Sequence, residues 1–368
     1  MISHASGEFG VYVHVPFCSK KCDYCAFATW TDRGLLMEQY VEACKGELAR
    51  ADLPPATSVF FGGGTPSLLP HELLVSILDD INRASAAEVT VECNPDTVTF
   101  DLLGAYERAG VNRISLGVQS SVPHVLASLG RSHDQANVEE AVAMAADVGI
   151  ERVNVDLIYG ASGESLDDWR CSLETVLSLD PRPTHVSAYG LTVEPGTPLA
   201  IDVRRHPDDD DQADKYILAD ELLTAAGLEN YEISNWAAPG HECRHNLVYW
   251  RQLDYRGIGC AAHSHENGRR WWNLRTPERY IAAVEAGTST MAAEEVLDDE
   301  TRFFEALELS LRMRDGIPSE YLDVDDLEGF VERRGYNAVL TRRGRLMANE
   351  IAMRLRMDQT QQAGEPVR

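Results

Sequence analysis

The stretch Tyr12-Val13-His14-Val15-Pro16-Phe17-Cys18-Ser19-Lys20-Lys21-Cys22-Asp23-Tyr24-Cys25 sets the reading of the whole chain. It begins inside a short β-branched run, Val11–Val15, the pattern of a buried strand. It then places three of the chain's eight cysteines within eight residues, spaced C-x3-C-x2-C. Three thiolates in one short loop can wrap one soft metal centre. Three ligands also leave a cubane iron–sulfur cluster with one iron open to a substrate. Zinc needs a fourth ligand, for which His14 is the candidate, and zinc loops usually add a distant second pair that this sequence lacks. Packing thiols without a ligand are the third reading. The remaining cysteines, Cys44, Cys93, Cys171, Cys243 and Cys260, are scattered. In a large chain that shows no secretory signal they are expected to pack or react rather than to form disulfides.

Outward from this loop, β-branched runs alternate with amphipathic stretches. The strands are expected at Val11–Val15, Val59–Phe61, Val89–Glu92, Arg113–Gly117, Val153–Leu157 and His185–Tyr189. The helices between them are expected at Leu35–Arg50, His71–Arg83, Asp101–Ala109, Gln135–Val148 and Leu166–Leu179. Ser165 and Asp168 fit a capping box, and Gly110, Gly149 and Gly227 stand where helix C-caps belong. Alternation of this kind means βα units and a parallel sheet covered by helices. The unusual residues follow the strands: the cysteine loop, then Gly62-Gly63-Gly64-Thr65-Pro66, Glu92, Gln119, Asp156 and Tyr189-Gly190. In barrel-like α/β proteins the site is built at the C-terminal ends of the strands. One site assembled from six distant segments is therefore expected.

The chain has 368 residues, 44% hydrophobic and 25% charged, the profile of a globular protein with two or three domains. Its formal charge of −26 disfavours nucleic acid and anionic membrane as partners. No apolar run approaches the roughly 20 residues of a membrane helix. The start, MISHASGEFG, lacks the features of a secretory signal, so no stable membrane anchor and a cytoplasmic location are expected. Residues 1–234 are expected to form the core, and the Trp-, His- and Arg-rich stretch 235–297 to connect it onward. A small helical domain is expected over 298–357, with helical segments at Asp299–Arg312, Leu327–Arg334 and Thr341–Arg356. A polar tail, 358–368, closes the chain.

At this point the sequence resembles a known family. The cysteine loop followed by GGGTP is similar to the radical SAM superfamily. The words YVHVPFC, FFGGGTPSLL, VECNPD, RISLGVQS, VNVDLIYG, HNLVYW, LRMRDGI and LTRRGRL resemble the oxygen-independent coproporphyrinogen III oxidase family, and within it the haem chaperone branch. The resemblance implies a partial (βα)6 barrel with a small, mainly helical, winged-helix-like C-terminal domain. It implies that Cys18, Cys22 and Cys25 hold a [4Fe–4S] cluster whose fourth iron chelates S-adenosylmethionine. An electron then cleaves the sulfonium to methionine and a 5′-deoxyadenosyl radical. By the same resemblance Tyr12, Tyr24, Gly63, Gly64, Thr65, Glu92, Gln119, Arg131, Asp156, Gly190 and His263 surround S-adenosylmethionine. Taken alone, several of these have plainer readings. GGGTP is also an ordinary strand-to-helix turn. Tyr12 is also a plain strand residue, and Glu92 and Asp156 also suit strand-end salt bridges.

Two functions share such a core: decarboxylation of coproporphyrinogen III and haem delivery. The decarboxylase branch usually carries a fourth Cys where this chain has Phe27, and a longer segment before the first strand. The segment Cys243-Arg244-His245-Asn246-Leu247-Val248-Tyr249-Trp250 contains HNxxYW, characteristic of the chaperone branch. His245 offers an imidazole for haem iron, and Tyr249 and Trp250 offer flat apolar faces. The plainer alternative is that the motif packs against the barrel. The resemblance thus points to a haem chaperone without coproporphyrinogen III oxidase activity, with His245, Asn246, Tyr249, Trp250 and Cys243 as candidate haem contacts. Its expected partners are haem, haem-accepting proteins with respiratory ones among the candidates, and an electron donor for the cluster, with homodimerisation left open.

Overall fold

The computed structural model describes residues 7–131 and 133–355. The expected polar tail, the first six residues and the last residue of the expected helix Thr341–Arg356 lie outside the described residues. Six βα units run in order. β1 (Gly10–Val15) leads to α1 (Met37–Arg50), β2 (Ala56–Gly63) to α2 (His71–Asp79), and β3 (Arg83–Cys93) to α3 (Phe100–Arg108). β4 (Arg113–Gln119) leads to α4 (Pro123–Ser128) and α5 (Gln135–Asp147), and β5 (Arg152–Tyr159) to α6 (Leu166–Leu177). β6 (His185–Gly190) leads to α7 (Pro198–Ile201) and α8 (Asp209–Ala225). The apolar strand residues, among them Val13, Phe61, Val91, Leu116, Val155 and Val186, are fully buried under the helices. The Ser165–Asp168 capping box forms. Gly110, Gly149 and Gly227 end their helices at φ 94°, 93° and 85°, where a side chain would be strained. The expected helix His71–Arg83 stops at Asp79, because Arg83 already belongs to β3.

The next segment joins the same sheet at both edges. β7 (Glu229–Glu232) and β8 (Asn235–Ala237) extend it beyond β6 in antiparallel fashion. After α9 (Arg244–Trp250), β9 (Tyr255–Ile258) pairs parallel with β1. β10 (His263–Glu266), β11 (Arg269–Asn273), α10 (Pro277–Glu285) and β12 (Met291–Val296) follow. The result is one twelve-stranded sheet, ordered β12-β11-β10-β9-β1-β2-β3-β4-β5-β6-β8-β7. The stretch 235–297 thus supplies five of its strands. The six parallel strands β1 to β6, in sequence order, form the partial barrel.

The C-terminal part has its own core, including Leu307, Leu311, Ile317 and Ile351. It comprises α11 (Asp299–Leu311), β13 (Ile317–Pro318), β14 (Val331–Arg334), β15 (Asn337–Leu340), α12 (Arg342–Leu346) and α13 (Ala348–Ala352). Its helices flank a three-stranded antiparallel sheet, β13-β15-β14. The expected helix at Leu327–Arg334 is therefore corrected to a strand of a hairpin. Gly335-Tyr336 make its two-residue loop, with Gly335 at φ 63° in the first loop position. No helix of the described residues is long and apolar enough to cross a membrane.

Candidate functional site

The cysteine loop runs from β1 toward α1, over the C-terminal ends of the parallel strands. Cys18, Cys22 and Cys25 are free, half-buried, and line one outer cavity of about 740 Å³. Thr65 Oγ1 donates toward Cys18 Sγ at 3.6 Å, and Arg131 Nη1 lies 4.0 Å from Cys22 Sγ. Burial pushes the Cys18 and Cys25 thiols up. The zinc reading loses its fourth ligand here. Both ring nitrogens of His14 are engaged, Nδ1 with Tyr12 Oη at 3.0 Å and Nε2 with the Ala28 carbonyl at 2.9 Å. Among the described residues no three His, Cys, Asp or Glu side chains converge on one ion position. A four-iron cluster is wider than an ion and takes each thiolate at a separate corner.

The GGGTP segment closes the cavity beside the loop. A Cβ on Gly64 would meet the Phe17 and Val15 carbonyl oxygens at 2.6 and 2.7 Å, so only glycine fits against β1. The Gly64 and Thr65 N–H groups donate to those same Val15 and Phe17 carbonyls, both at 2.8 Å. Gly63 N–H donates to Glu92 Oε2 at 3.1 Å. These amides are committed, so what the segment keeps for a ligand is carbonyl oxygen, an acceptor suited to an ammonium group.

Glu92, next to the end of β3, and Asp156, within β5, stand on the cavity wall. Burial first, and the Asp156 charge second, push the Glu92 carboxyl up to about 8 against the Gly63 N–H. Asp156 is also raised by burial, although Ser115 Oγ at 2.7 Å and Asn154 Nδ2 at 2.9 Å donate to it. Neither makes a strand-end salt bridge. Gln119 sits at φ 65°, just after a register slip between β4 and β5. A bulge beside a strained residue re-aims a side chain, and such sites cluster at functional clefts. Arg131 Nη2 donates to the Gly117 carbonyl at 2.7 Å, which holds its guanidinium over the cavity floor. Tyr24 and Gly190 complete the wall.

Two expected residues lie elsewhere. Tyr12 faces an inner cavity of about 230 Å³ deeper in the barrel. His263 lines neither cavity; it is exposed on β10 and stacks on Trp272, centroids 5.5 Å apart. The sequence reading also passed over His133, which lines the outer cavity two residues beyond Arg131. Its place beside a flagged arginine was the signal available.

The inner cavity accounts for the HNxxYW segment. Helix α9 closes the lower end of the barrel, where Gly10 opens β1 and a Cβ on it would meet the His245 ring at 3.1 Å. His245 is fully buried. Its Nδ1 bonds Ser58 Oγ at 2.9 Å and its Nε2 bonds Tyr249 Oη at 2.8 Å. It stacks on Phe60 at 5.4 Å, and burial lowers it to about 3. His245 lines this inner cavity with both ring nitrogens hydrogen-bonded, so the expected offer of its imidazole to haem iron requires one of these bonds to open. Cys243 is also buried, its thiol directed at Glu88 Oε1 at 3.6 Å, and it lines the inner cavity together with Asn246 and Tyr249. Trp250 lies beside Glu232, whose carboxyl it helps to lower, and lines neither cavity.

A partial parallel barrel with three loop thiols above its strand ends defines a radical SAM protein, and the family model of the radical SAM superfamily matches residues 12–176. A Mycobacterium tuberculosis protein named "Heme chaperone HemW" is 40% identical over 370 residues, covering 94% of each chain. A Bacillus subtilis protein of the same name is 34% identical, over 92% of this chain and 97% of its own. The chain belongs to this HemW family of radical SAM proteins. Among solved structures, the radical SAM enzyme coproporphyrinogen III oxidase (HemN) from Escherichia coli superposes with a TM-score of 0.81. It is 22% identical and covers 94% of this chain and 89% of that one, which shows the shared fold.

Proposed function

We propose that this protein carries haem to acceptor proteins and holds a [4Fe–4S] cluster and S-adenosylmethionine in its outer cavity. The observation that carries the reading is near full-length identity to proteins named haem chaperones. The donor set fits the cluster: three half-buried thiols on one loop and a carbonyl-rich, glycine-only turn beside them. When bound, the cluster supplies one electron to the sulfonium of S-adenosylmethionine. The chain's own residues position that ligand. Gly63, Gly64 and Thr65 offer carbonyls to its ammonium, and Arg131 offers its remaining guanidinium edge to its carboxylate. Glu92, Gln119 and Asp156 are placed for ribose hydroxyls or the ammonium, with Tyr24 and Gly190 as walls. A cytoplasmic location, an electron donor and respiratory haem acceptors complete the proposal.

Coproporphyrinogen III oxidase activity is the second reading; Phe27 in place of a fourth cysteine argues against it. The test is anaerobic reconstitution with iron and sulfide, then dithionite and S-adenosylmethionine, assayed separately with coproporphyrinogen III and haem. Saturable haem binding near one per chain with no protoporphyrinogen IX is expected. Cluster- and S-adenosylmethionine-dependent protoporphyrinogen IX would overturn it. Replacing any of Cys18, Cys22 or Cys25 by Ala should abolish the four-iron stoichiometry, while exposed Cys171→Ala should not.

A further inference from the structure

We propose that His185 is a positioning residue for S-adenosylmethionine: it orients the Asn154 amide, and Asn154 holds the Asp156 carboxylate at the wall of the outer cavity. The inference rests on the reading of that cavity given above. It begins with the strand pattern. Strands of a parallel sheet covered on both faces are usually apolar throughout. β5 and β6 alternate instead. Val153, Val155 and Leu157 are buried in the core, while Asn154 and Asp156 between them line the inner cavity. On β6, His185 stands beside Asn154 in register and Ser187 beside Asp156. Buried polar side chains need partners, and these find them in one another.

Asp156 accepts on both oxygens, from Ser115 Oγ at 2.7 Å and from Asn154 Nδ2 at 2.9 Å. The second hydrogen of that amide goes to Ser115 Oγ at 2.6 Å. Asn154 Oδ1 is left as an acceptor. It lies 2.6 Å from His185 Nδ1, and Ser187 Oγ donates to it at 3.2 Å. His185 Nε2 lies 2.8 Å from Tyr231 Oη on β7. That hydroxyl accepts the Cys243 N–H at 3.3 Å, from the residue just before α9. His185 is fully buried, and burial, with Arg113 and His241 behind it, lowers its pKa well below the usual value. The ring is therefore neutral and has one hydrogen to give. Tyr231 donates to Nε2, the Nδ1–H donates to Asn154, and Asn154 donates to Asp156.

The opposite arrangement is penalised at each link. Turning the Asn154 amide over would set its oxygen against an Asp156 oxygen. It would also need His185 to carry its hydrogen on Nε2. Tyr231 would then take two donors, and its own hydrogen would meet no acceptor. His185 thereby selects the amide orientation in which each Asp156 oxygen keeps a donor. Those donors and the Arg113 charge favour the carboxylate against the burial that opposes it. Glu92 has the Gly63 N–H as its donor and stays protonated up to about pH 8. One charged and one neutral carboxyl give the ligand's ammonium and its ribose hydroxyls different partners.

The experiment uses the reconstituted full chain, reduced with dithionite. Iron content reports the cluster, and calorimetry gives the affinity for S-adenosylmethionine. The change in the cluster's electron paramagnetic resonance spectrum on adding that ligand reports how it is seated. His185→Leu should keep four irons per chain, bind the ligand about fivefold more weakly, the scale of one oriented hydrogen bond, and give an altered ligand-bound spectrum. His185→Asn should restore both, because its amide N–H stands where the Nδ1–H does; a role in packing alone would not be rescued by so small a side chain. Tyr231→Phe should act in the same direction by about threefold. Unchanged affinity and ligand-bound spectrum in His185→Leu overturn the assignment, and so does a His185→Asn variant that behaves like His185→Leu. If His185→Leu does not fold, Tyr231→Phe decides: weakened binding with the cluster intact supports the assignment, and unchanged binding overturns it. Absence of any spectral response to S-adenosylmethionine in the unmodified protein overturns instead the outer-cavity reading on which the inference rests.

Discussion

Glu92 shows how one side chain holds charge in reserve. Its carboxyl is raised to about 8 by burial and by Asp156. A raised acid contributes stability that is fully present below its unfolded pKa and is lost as pH rises through the folded one. The ligand-free protein should therefore weaken between about pH 4.5 and pH 8 through this group. Glu92→Gln should remove that slope, so the melting-temperature gap between variant and wild type should widen from pH 5 to pH 8 and then level off. A gap independent of pH would contradict the assignment. An ammonium in the cavity favours the carboxylate, so the same substitution should weaken S-adenosylmethionine binding by about tenfold, measured by calorimetry on the reconstituted protein. Gln119 carries a different reserve. Its φ of 65° is a conformation that non-glycine residues seldom adopt, held by the slip in β4.

Among the elements, α9 separates what the sequence revealed from what it hid. The motif HNxxYW was legible, but its address was not. A histidine and tyrosine four apart on a helix share a face whether that face meets a ligand or the inside of a barrel. Because His245 satisfies Ser58 and Tyr249 in the interior, His245→Ala should cost about 2 kcal/mol or more from the orphaned hydroxyls alone. Haem affinity in the folded fraction should stay unchanged; wild-type melting with haem binding lost would restore His245 as the ligand. The parallel strands were readable because each is a buried β-branched run followed by an odd residue. β8 to β12 were not, since most are short, none is a β-branched run, and β8 and β9 owe their place to β6 and β1, far away in the chain. β14 was misread because Val331-Glu332-Arg333-Arg334 is charged enough to pass for a helical face, and only its hairpin partner β15 reveals the period of two. The cysteine loop needed no partner to be seen, because its spacing is local.

For the whole molecule, an ionic cluster joins the apolar contacts of Leu346 and Ile233 in tying the barrel to the C-terminal part. Asp220 on α8 is nearly buried, accepts from Trp236 Nε1 at 2.9 Å, and pairs with Arg345 at 2.9 Å and with Arg342. Arg343 lies over the Phe330 ring at 5.1 Å, so the basic run of α12 is largely committed. Burial pushes the Asp220 carboxyl up, but Arg345, Trp236 and Arg342 outweigh it and hold it below the usual range. A lowered acid contributes stability present above its unfolded pKa and lost as pH falls through the folded one. The C-terminal part should therefore loosen first in acid. Asp220→Asn should cost about 2 kcal/mol, less than a fully buried pair because Arg342 is partly exposed, and should speed limited proteolysis between β12 and α11. Equal cleavage rates would count against this tie. The sheet order also sets a clock. β1, which bears the cysteine loop, is flanked on one side by β9, and Tyr255 leaves the ribosome some 240 residues after Val15. At about 5–20 residues per second the nascent strand waits roughly 10 to 50 s with one edge bare and its thiols unsheltered. Insertion of the proposed cluster should thereby be a late event, and a chain released before residue 250 should aggregate rather than mature.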